Sequence, residues 1–166
     1  QPSVQYLTLD GIRVILGEPD TRTAAGRRDL VLLTLLYDTG ARVQELADVA
    51  VGDVRLAAPA TVTLTGKGNR RRVVPLMTQT AKLIGQYLAD NELTHHTYRQ
   101  RPLFQNRSCA ALTRAGITYI LRKYSSRAHA RHPELVPKGI SPHCLRHSKA
   151  MHLLQAGVNL VYIRDV

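Results

Sequence analysis

Apolar positions recur along this chain in two rhythms, and the change from one to the other predicts its architecture. A spacing of three to four residues marks helices. The first predicted helix runs from Thr8 through Ile12, Ile15 and Leu16 and stops at Gly17 and Pro19. The second spans Arg22 to Thr39. Its stretch from Leu30 to Tyr37 is apolar nearly all round, which places it in the middle of the core, and Gly40 is its expected terminus. A short helix follows from Arg42 to Val49. Further on, Thr78 or Thr80 caps a helix that buries Leu83, Ile84, Tyr87 and Leu88. Thr113 caps another, through Ile117, Ile120, Leu121 and Tyr124, whose spacing assigns Tyr119 and Tyr124 to the core rather than to base stacking. Ser141 and Pro142 open the best-punctuated helix, with apolar Leu145, Met151, Leu153 and Leu154 and a left-handed close at Gly157. Asn159 caps a last helix, from Leu160 to Val166.

Between the short helix and Thr78 the rhythm falls to two. Val51 to Leu56, Thr61 to Thr65 and Arg71 to Val74 are short and rich in β-branched residues, and Gly66-Lys67-Gly68-Asn69 joins the last two. The expectation is a small three-stranded antiparallel sheet with Lys67 at a hairpin tip, followed by Arg70, Arg71 and Arg72, which fit either a solvated strand edge or contacts to a nucleic-acid backbone. Residues 91–107 read as a polar, irregular connection with His95 and His96 exposed, and Pro133 and Pro137 frame a loop. The fold class is therefore α+β, mainly helical.

Composition changes this picture in one respect. Hydrophobic content of 44% and charged content of 21% are ordinary for a globular domain, and no apolar run is long enough for a transmembrane helix. Charge is not ordinary: 23 Lys and Arg against 12 Asp and Glu leave +11, the footprint of a surface that binds a polyanion. Arg114, Arg122, Lys123, Arg127 and Arg131, on and after one helix, read as sequence-independent phosphate contacts. Cys109 and Cys144 fit a reduced, intracellular protein better than a disulfide framework, and neither a Cys-x-x-Cys pair nor a zinc-protease His motif is present. No metal or cofactor is expected. The chain starts at Gln1 and stops as a helical pattern restarts, so it reads as a fragment cut at both ends.

Candidate chemistry sits at three punctuation points. His143 and Arg146 share a face in the first turn of the helix that Ser141 caps, beside its positive dipole end, where a phosphate is favoured. Lys67 lies between two glycines that remove bulk around it. Arg42 stands one turn before Glu45, which fits either an exposed ion pair or, after the small-residue entry Thr39-Gly40-Ala41, a corner open to close approach. Together these groups suit a phosphodiester under attack. Two guanidinium forks can clamp the equatorial oxygens, a lysine can protonate the leaving alkoxide, and a histidine can orient an oxygen or assist proton transfer.

The runs Thr39-Gly40-Ala41-Arg42-Val43-Gln44-Glu45-Leu46, then Gly66-Lys67-Gly68-Asn69-Arg70-Arg71-Arg72-Val73-Val74-Pro75-Leu76, then Ser141-Pro142-His143-Cys144-Leu145-Arg146-His147-Ser148 with His152-Leu153-Leu154-Gln155-Ala156-Gly157, resemble in that order the catalytic domain of the tyrosine recombinase (phage integrase) family. The resemblance spans nearly all of residues 1–166. It implies a metal-free enzyme that cleaves and rejoins double-stranded DNA through a 3′-phosphotyrosyl intermediate, working in the intact protein as a homotetramer on DNA, in the cytoplasm at the nucleoid, away from membranes. By the same resemblance Arg42 and Arg146 are the phosphate-clamping arginines, Lys67 the general acid, His143 the histidine before the second arginine, and Glu45 the acidic residue supporting the first.

Three departures accompany it. The family's further His or Trp and its nucleophilic Tyr fall beyond Val166, and Tyr162 comes too early to replace the latter, so the fragment is expected to be monomeric and inactive alone. The family's N-terminal core-binding domain is expected to lie outside residues 1–166. Lys149 stands where the family often has a bulky apolar residue. Competing readings are a noncatalytic DNA-binding or regulatory module of the same fold, a metal-dependent hydrolase using the histidines, and a topoisomerase of the same catalytic family.

Overall fold

Helix starts follow the capping side chains that the sequence offers. In the computed structural model, which describes residues 6–157, Thr8, Thr23, Thr113 and Ser141 accept the backbone N–H three residues on, at 3.1, 2.9, 3.0 and 3.2 Å. They open α1 (Leu9–Leu16), α2 (Ala24–Thr39), α5 (Arg114–Arg131) and α6 (Pro142–Gln155). Helix α2 thus begins at Ala24 rather than Arg22, because Thr23 takes the cap. The predicted short helix contracts to α3 (Val43–Ala47), which leaves Arg42 outside as N-cap. Neither Thr78 nor Thr80 caps α4 (Thr78–Asp90). Thr80 is buried within the helix, Met77 is the N-cap, and the Met77 N–H donates to Asp38 Oδ2 of α2 at 3.1 Å.

The sheet has three antiparallel strands in the order β1 (Val54–Arg55), β2 (Thr61–Thr65), β3 (Arg71–Pro75). The predicted first strand, Val51 to Leu56, is mostly lost: Val51–Asp53 form a 3₁₀ turn whose Val51 and Gly52 N–H groups donate to Arg101 and Arg99 carbonyls at 2.9 and 2.7 Å. The connection read as polar is therefore a structural strap. It buries Leu93, Leu103 and Phe104, and the Tyr87 hydroxyl donates to the Leu103 carbonyl at 2.8 Å.

Helix α2 is the core element, as its pattern requires. Leu32, Leu35 and Leu36 are 0% exposed, and the helix lies against α1, α4 and α6. Burying each such side chain favours the folded state by about 1.5–3 kcal/mol. Its surroundings overturn two expectations. Tyr119 is 66% exposed, whereas Tyr124 is 4% exposed and donates to Asp29 Oδ2 at 2.6 Å. Helix α6 buries Cys144, Leu145 and Ser148, while Leu154 is exposed and Met151 and Leu153 only half-buried, so the predicted apolar stripe is not its packing face along the whole length. Gly157 does adopt a left-handed φ of 83°.

Helix α6 is held to α2 and to the start of the described chain by polar contacts. Lys149, in the position where a charge was unexpected, pairs with the buried Asp38 at 3.4 Å and lies 5.0 Å above the Tyr37 ring. Ser148 Oγ accepts the Leu7 N–H at 2.8 Å and donates to the Cys144 carbonyl at 2.7 Å. His152 Nε2 lies 2.7 Å from the Leu7 carbonyl, which can only accept, so Nε2 carries the proton and Nδ1 accepts from the Tyr37 hydroxyl at 2.6 Å. The helix predicted from Asn159, with Tyr162, lies outside the described residues. Among the described residues no helix is long and apolar enough to cross a membrane.

Candidate active site

The corner between α2 and α3 is built to present Arg42. Gly40 closes α2 at φ 63°, ψ 25°, a left-handed geometry that glycine adopts without strain. Thr39 locks the turn from below: its hydroxyl donates to the Leu35 carbonyl at 2.7 Å and accepts the Ala41 N–H at 3.1 Å. Ala41 is 0% exposed, and the next residue, Arg42, emerges at the surface. Two further bonds fix that corner. Glu45 Oε1 accepts the Arg42 N–H at 2.8 Å, and the Gly40 carbonyl accepts Arg146 Nε of α6 at 2.8 Å. A contact 106 residues apart in sequence thus brings the second arginine to the turn that carries the first.

Glu45 does not serve Arg42 alone. Arg72 of β3 donates to it twice, Nε to Oε2 at 3.2 Å and Nη2 to Oε1 at 2.9 Å. The Glu45 side chain is 4% exposed and that of Arg72 24%, so Arg72 is not the solvated strand-edge residue that its triplet suggested. The pleat explains why. Arg72 pairs in register with Leu64, and Val74 with Val62; both partners are buried, so side chains at 72 and 74 share the inward face. Burial pushes the Glu45 carboxyl up, but the Arg72 bonds, the Arg42 N–H and the charges of both arginines outweigh it and hold it below the usual carboxylate range.

The hairpin supplies Lys67. Residues Lys67–Asn69 form a 3₁₀ turn with Gly68 at φ 72° and Asn69 at φ 58°, and Lys67 is exposed at its start. Arg42, Glu45, Lys67, Arg70, Arg71 and Arg72 line one open cavity of about 1150 Å³, with Gln44, Asp48, Thr65 and Gly66. Arg146 joins the cluster electrostatically. Burial, and then the like charges of Arg42 and Arg72, push its guanidinium below its ordinary value, with Glu45 acting in the opposite sense. A guanidinium that two others disfavour is stabilised by a nearby anion.

His143 is exposed in the first turn of α6, three residues before Arg146, and is not part of the cavity wall. The basic series on α5 is partly engaged inside the molecule. Lys123 lies 3.9 Å from Asp29 and 4.7 Å above the Tyr124 ring, Arg127 5.6 Å above the same ring, and Arg131 3.7 Å from Glu18. Arg122 is exposed. Among the described residues no group of three or more His, Cys, Asp or Glu is gathered as a metal site. Sequence reasoning missed the inward Arg72, although its place two residues before the apolar Val74 was a signal for it.

This fold, a helical core with a three-stranded sheet at one side, is that of tyrosine recombinase catalytic domains. It superimposes on the crystal structure of XerA recombinase with a TM-score of 0.79 at 22% identity, covering 96% of this chain and 54% of that one. It also matches XerH site-specific recombinase, in a pre-cleavage complex with its difH substrate, with a TM-score of 0.75 at 24% identity, over 96% of this chain and 45% of that one. In sequence, residues 5–166 match the phage integrase family, and the chain belongs to that family. Tyrosine recombinase XerD of Listeria innocua is 35% identical over 164 residues, 98% of this chain and 53% of that protein. A putative integrase/recombinase, y4rD of Sinorhizobium fredii, is 37% identical over 143 residues, 86% of this chain and 50% of that protein. The chain spans about half the length of the curated relatives it matches.

Proposed function

We propose that this chain is most of the catalytic domain of a site-specific DNA recombinase or integrase, and that residues 1–166 lack the nucleophilic tyrosine. The observation that carries the reading is the gathering of Arg42 and Lys67 around one cavity, with Arg146 bonded to the Gly40 carbonyl beside them. In this reading Arg42 and Arg146 clamp the non-bridging oxygens of the scissile phosphate. They offset the charge that builds as phosphorus becomes pentacoordinate, and no metal or cofactor is needed. A tyrosine hydroxyl from outside the chain attacks phosphorus, the bond to the 5′-oxygen breaks, and Lys67 gives that oxygen its proton. His143, exposed at the head of α6, orients an oxygen or moves the nucleophile's proton. Glu45 holds the Arg42 backbone.

Double-stranded DNA is the partner, and exposed cations such as Arg70, Arg71 and Arg122 supply phosphate contacts around the cavity. The full-length protein works as a homotetramer on DNA in the cytoplasm at the nucleoid, with a core-binding domain ahead of this one, whereas the fragment is a catalytically inert monomer. Known family members shown on DNA, such as XerH with difH, support DNA as substrate.

The roles are separable by leaving group. A suicide duplex with sulfur in place of the bridging 5′-oxygen needs no proton donor, because a thiolate leaves unaided at neutral pH. Sulfur should restore cleavage to full-length protein bearing Lys67→Ala and fail to restore it to Arg146→Ala. Equal rescue of both, or of neither, would remove Lys67 from the acid role.

A further inference from the structure

Arg72 has no part in the steps above, and its surroundings differ from those of its neighbours. Arg70 and Arg71 are exposed, whereas the Arg72 side chain retains 24% exposure and sets two nitrogens on the buried Glu45 carboxylate at 2.9 and 3.2 Å. The Oε1 atom that accepts Arg72 Nη2 also accepts the backbone N–H of Arg42, at 2.8 Å. A single oxygen therefore links β3, the strand leaving the Lys67 hairpin, to the N-cap residue of α3.

We propose that Arg72 is a positioning residue for strand cleavage, gripping Glu45 so that Arg42 and the Lys67 hairpin are held in fixed relation around the same phosphate. The proposal rests on the roles given above to Arg42 and Lys67. Three features argue for it. A planar guanidinium that meets a carboxylate through Nε and Nη2 fixes orientation as well as distance, which a lysine cannot do. The elements so joined carry Arg42 and Lys67, and Arg42, Glu45, Lys67 and Arg72 all line one cavity, so the grip ties together the parts of its wall that hold the two cations. Its charge also reaches Arg146, as that of Arg42 does, which places it in the same electrostatic cluster rather than on a remote DNA-facing edge. Without it, Glu45 would be a nearly buried carboxylate with weakened support, free to draw the Arg42 side chain inward and away from the phosphate.

The test uses full-length protein with Arg72→Ala, Arg72→Lys, Glu45→Gln and the double variant Arg72→Ala/Glu45→Gln. The probe is a suicide duplex bearing the site that the protein selects from a random-sequence pool, and Arg42→Ala is the reference. Single-turnover cleavage at saturating protein, DNA affinity across a salt series and thermal unfolding are read for each. Arg72→Ala should slow cleavage on the order of tenfold to a hundredfold, the scale of a misplaced catalytic group, with the salt dependence of binding unchanged. Arg72→Lys, which keeps the charge and stem and serves if the alanine variant unfolds, should also cleave slowly at normal affinity. The double variant should be no slower than the slower single. Wild-type cleavage by Arg72→Lys, multiplicative losses in the double variant, or a salt slope reduced by about one for Arg72→Ala would each overturn the proposal. Failure of Arg42→Ala to slow cleavage would instead bring down the phosphate-clamp reading beneath it.

Discussion

Two buried carboxylates, Glu45 and Asp29, each take two bonds from one arginine, and the same chemistry yields opposite outcomes. Asp29 is 0% exposed and takes Arg28 Nε and Nη2 on Oδ1 at 3.0 and 2.8 Å and the Tyr124 hydroxyl on Oδ2 at 2.6 Å. Arg28 spends its remaining reach on the Gln105 carbonyl at 3.1 Å. The cluster directs its bonds into the interior, and burial followed by the Asp29 bond pushes the Tyr124 hydroxyl upward, away from any titration near neutral pH. Glu45 is also buried, but the cavity beside it is lined by Arg42, Lys67, Arg70, Arg71 and Arg72 against Glu45 and Asp48, and Arg146 lies within reach of the charges of Arg42 and Arg72. Asp29 also draws Lys123 to 3.9 Å, and a cluster whose cations are spent on an interior carboxylate staples helices together. A surplus of cations at a solvent-facing cavity favours an anion, and in the proposed reading that difference separates architecture from a phosphate site.

The comparison is broken most severely at the clamp. Arg42→Ala or Arg146→Ala in full-length protein should raise the barrier to cleavage by about 3 kcal/mol or more each, the scale of losing an oxyanion donor, while DNA affinity falls far less. Abolished affinity with normal cleavage per bound complex would reverse the assignment. Asp29→Ala should do the converse. It leaves Arg28 and the Tyr124 hydroxyl without their acceptor and should cost about 3 kcal/mol of stability in urea unfolding, with cleavage per folded molecule retained. A smaller loss is expected at the α6 seam, where Ser148→Ala strips the Leu7 N–H of its acceptor and should cost roughly 1–2 kcal/mol.

Acid sharpens the contrast further. Burial first, and then the charge of Lys149, hold the His152 imidazole below its ordinary 6.5, against the opposing Leu7 carbonyl bond. The unfolded chain therefore binds the proton more readily. The seam's contribution is complete above that ordinary value and is lost as pH falls from there toward the folded value. Unfolding free energy measured from pH 7.5 to 5 should decline in the native protein and decline less in His152→Gln. The smallest effect belongs to the surface. Arg122→Gln should change stability by less than about 0.5 kcal/mol and, if this face meets DNA, lower the salt slope of binding by about 0.9.

What the sequence disclosed follows the range of the interactions concerned. Caps at Thr8, Thr113 and Ser141 and the left-handed Gly40 and Gly157 depend on neighbours within four residues, and each was legible. The buried α2 was legible from its all-round apolar run, and the hairpin from its glycines. Long-range substitutions of one partner for another were not. Asp38 takes the Met77 N–H across 39 residues, so threonine signals at 78 and 80 misled. Lys123 turns from the expected DNA contact to Asp29, 94 positions earlier, because burial makes that carboxylate a stronger attractor than solvent. At the candidate site the sequence marked Arg42, Glu45 and Lys67, which line one cavity, and Arg146, which bonds the Gly40 carbonyl, but not the joint between them. Arg72 was hidden inside an arginine triplet, whose charge pattern says surface while its pleat position says interior.

The central claim, that cations from three separate parts of the chain act on one phosphorus without a metal, is tested most directly by covalent capture. Full-length protein and its Arg146→Ala variant would be incubated with a suicide duplex in excess chelator, at DNA occupancies matched by gel shift, and the protein–DNA adduct counted over time. The account predicts adduct from the native protein at an undiminished rate and roughly a hundredfold less or slower from the variant. Adduct from Arg146→Ala at the native rate, or adduct that disappears when divalent cations are removed, would contradict it.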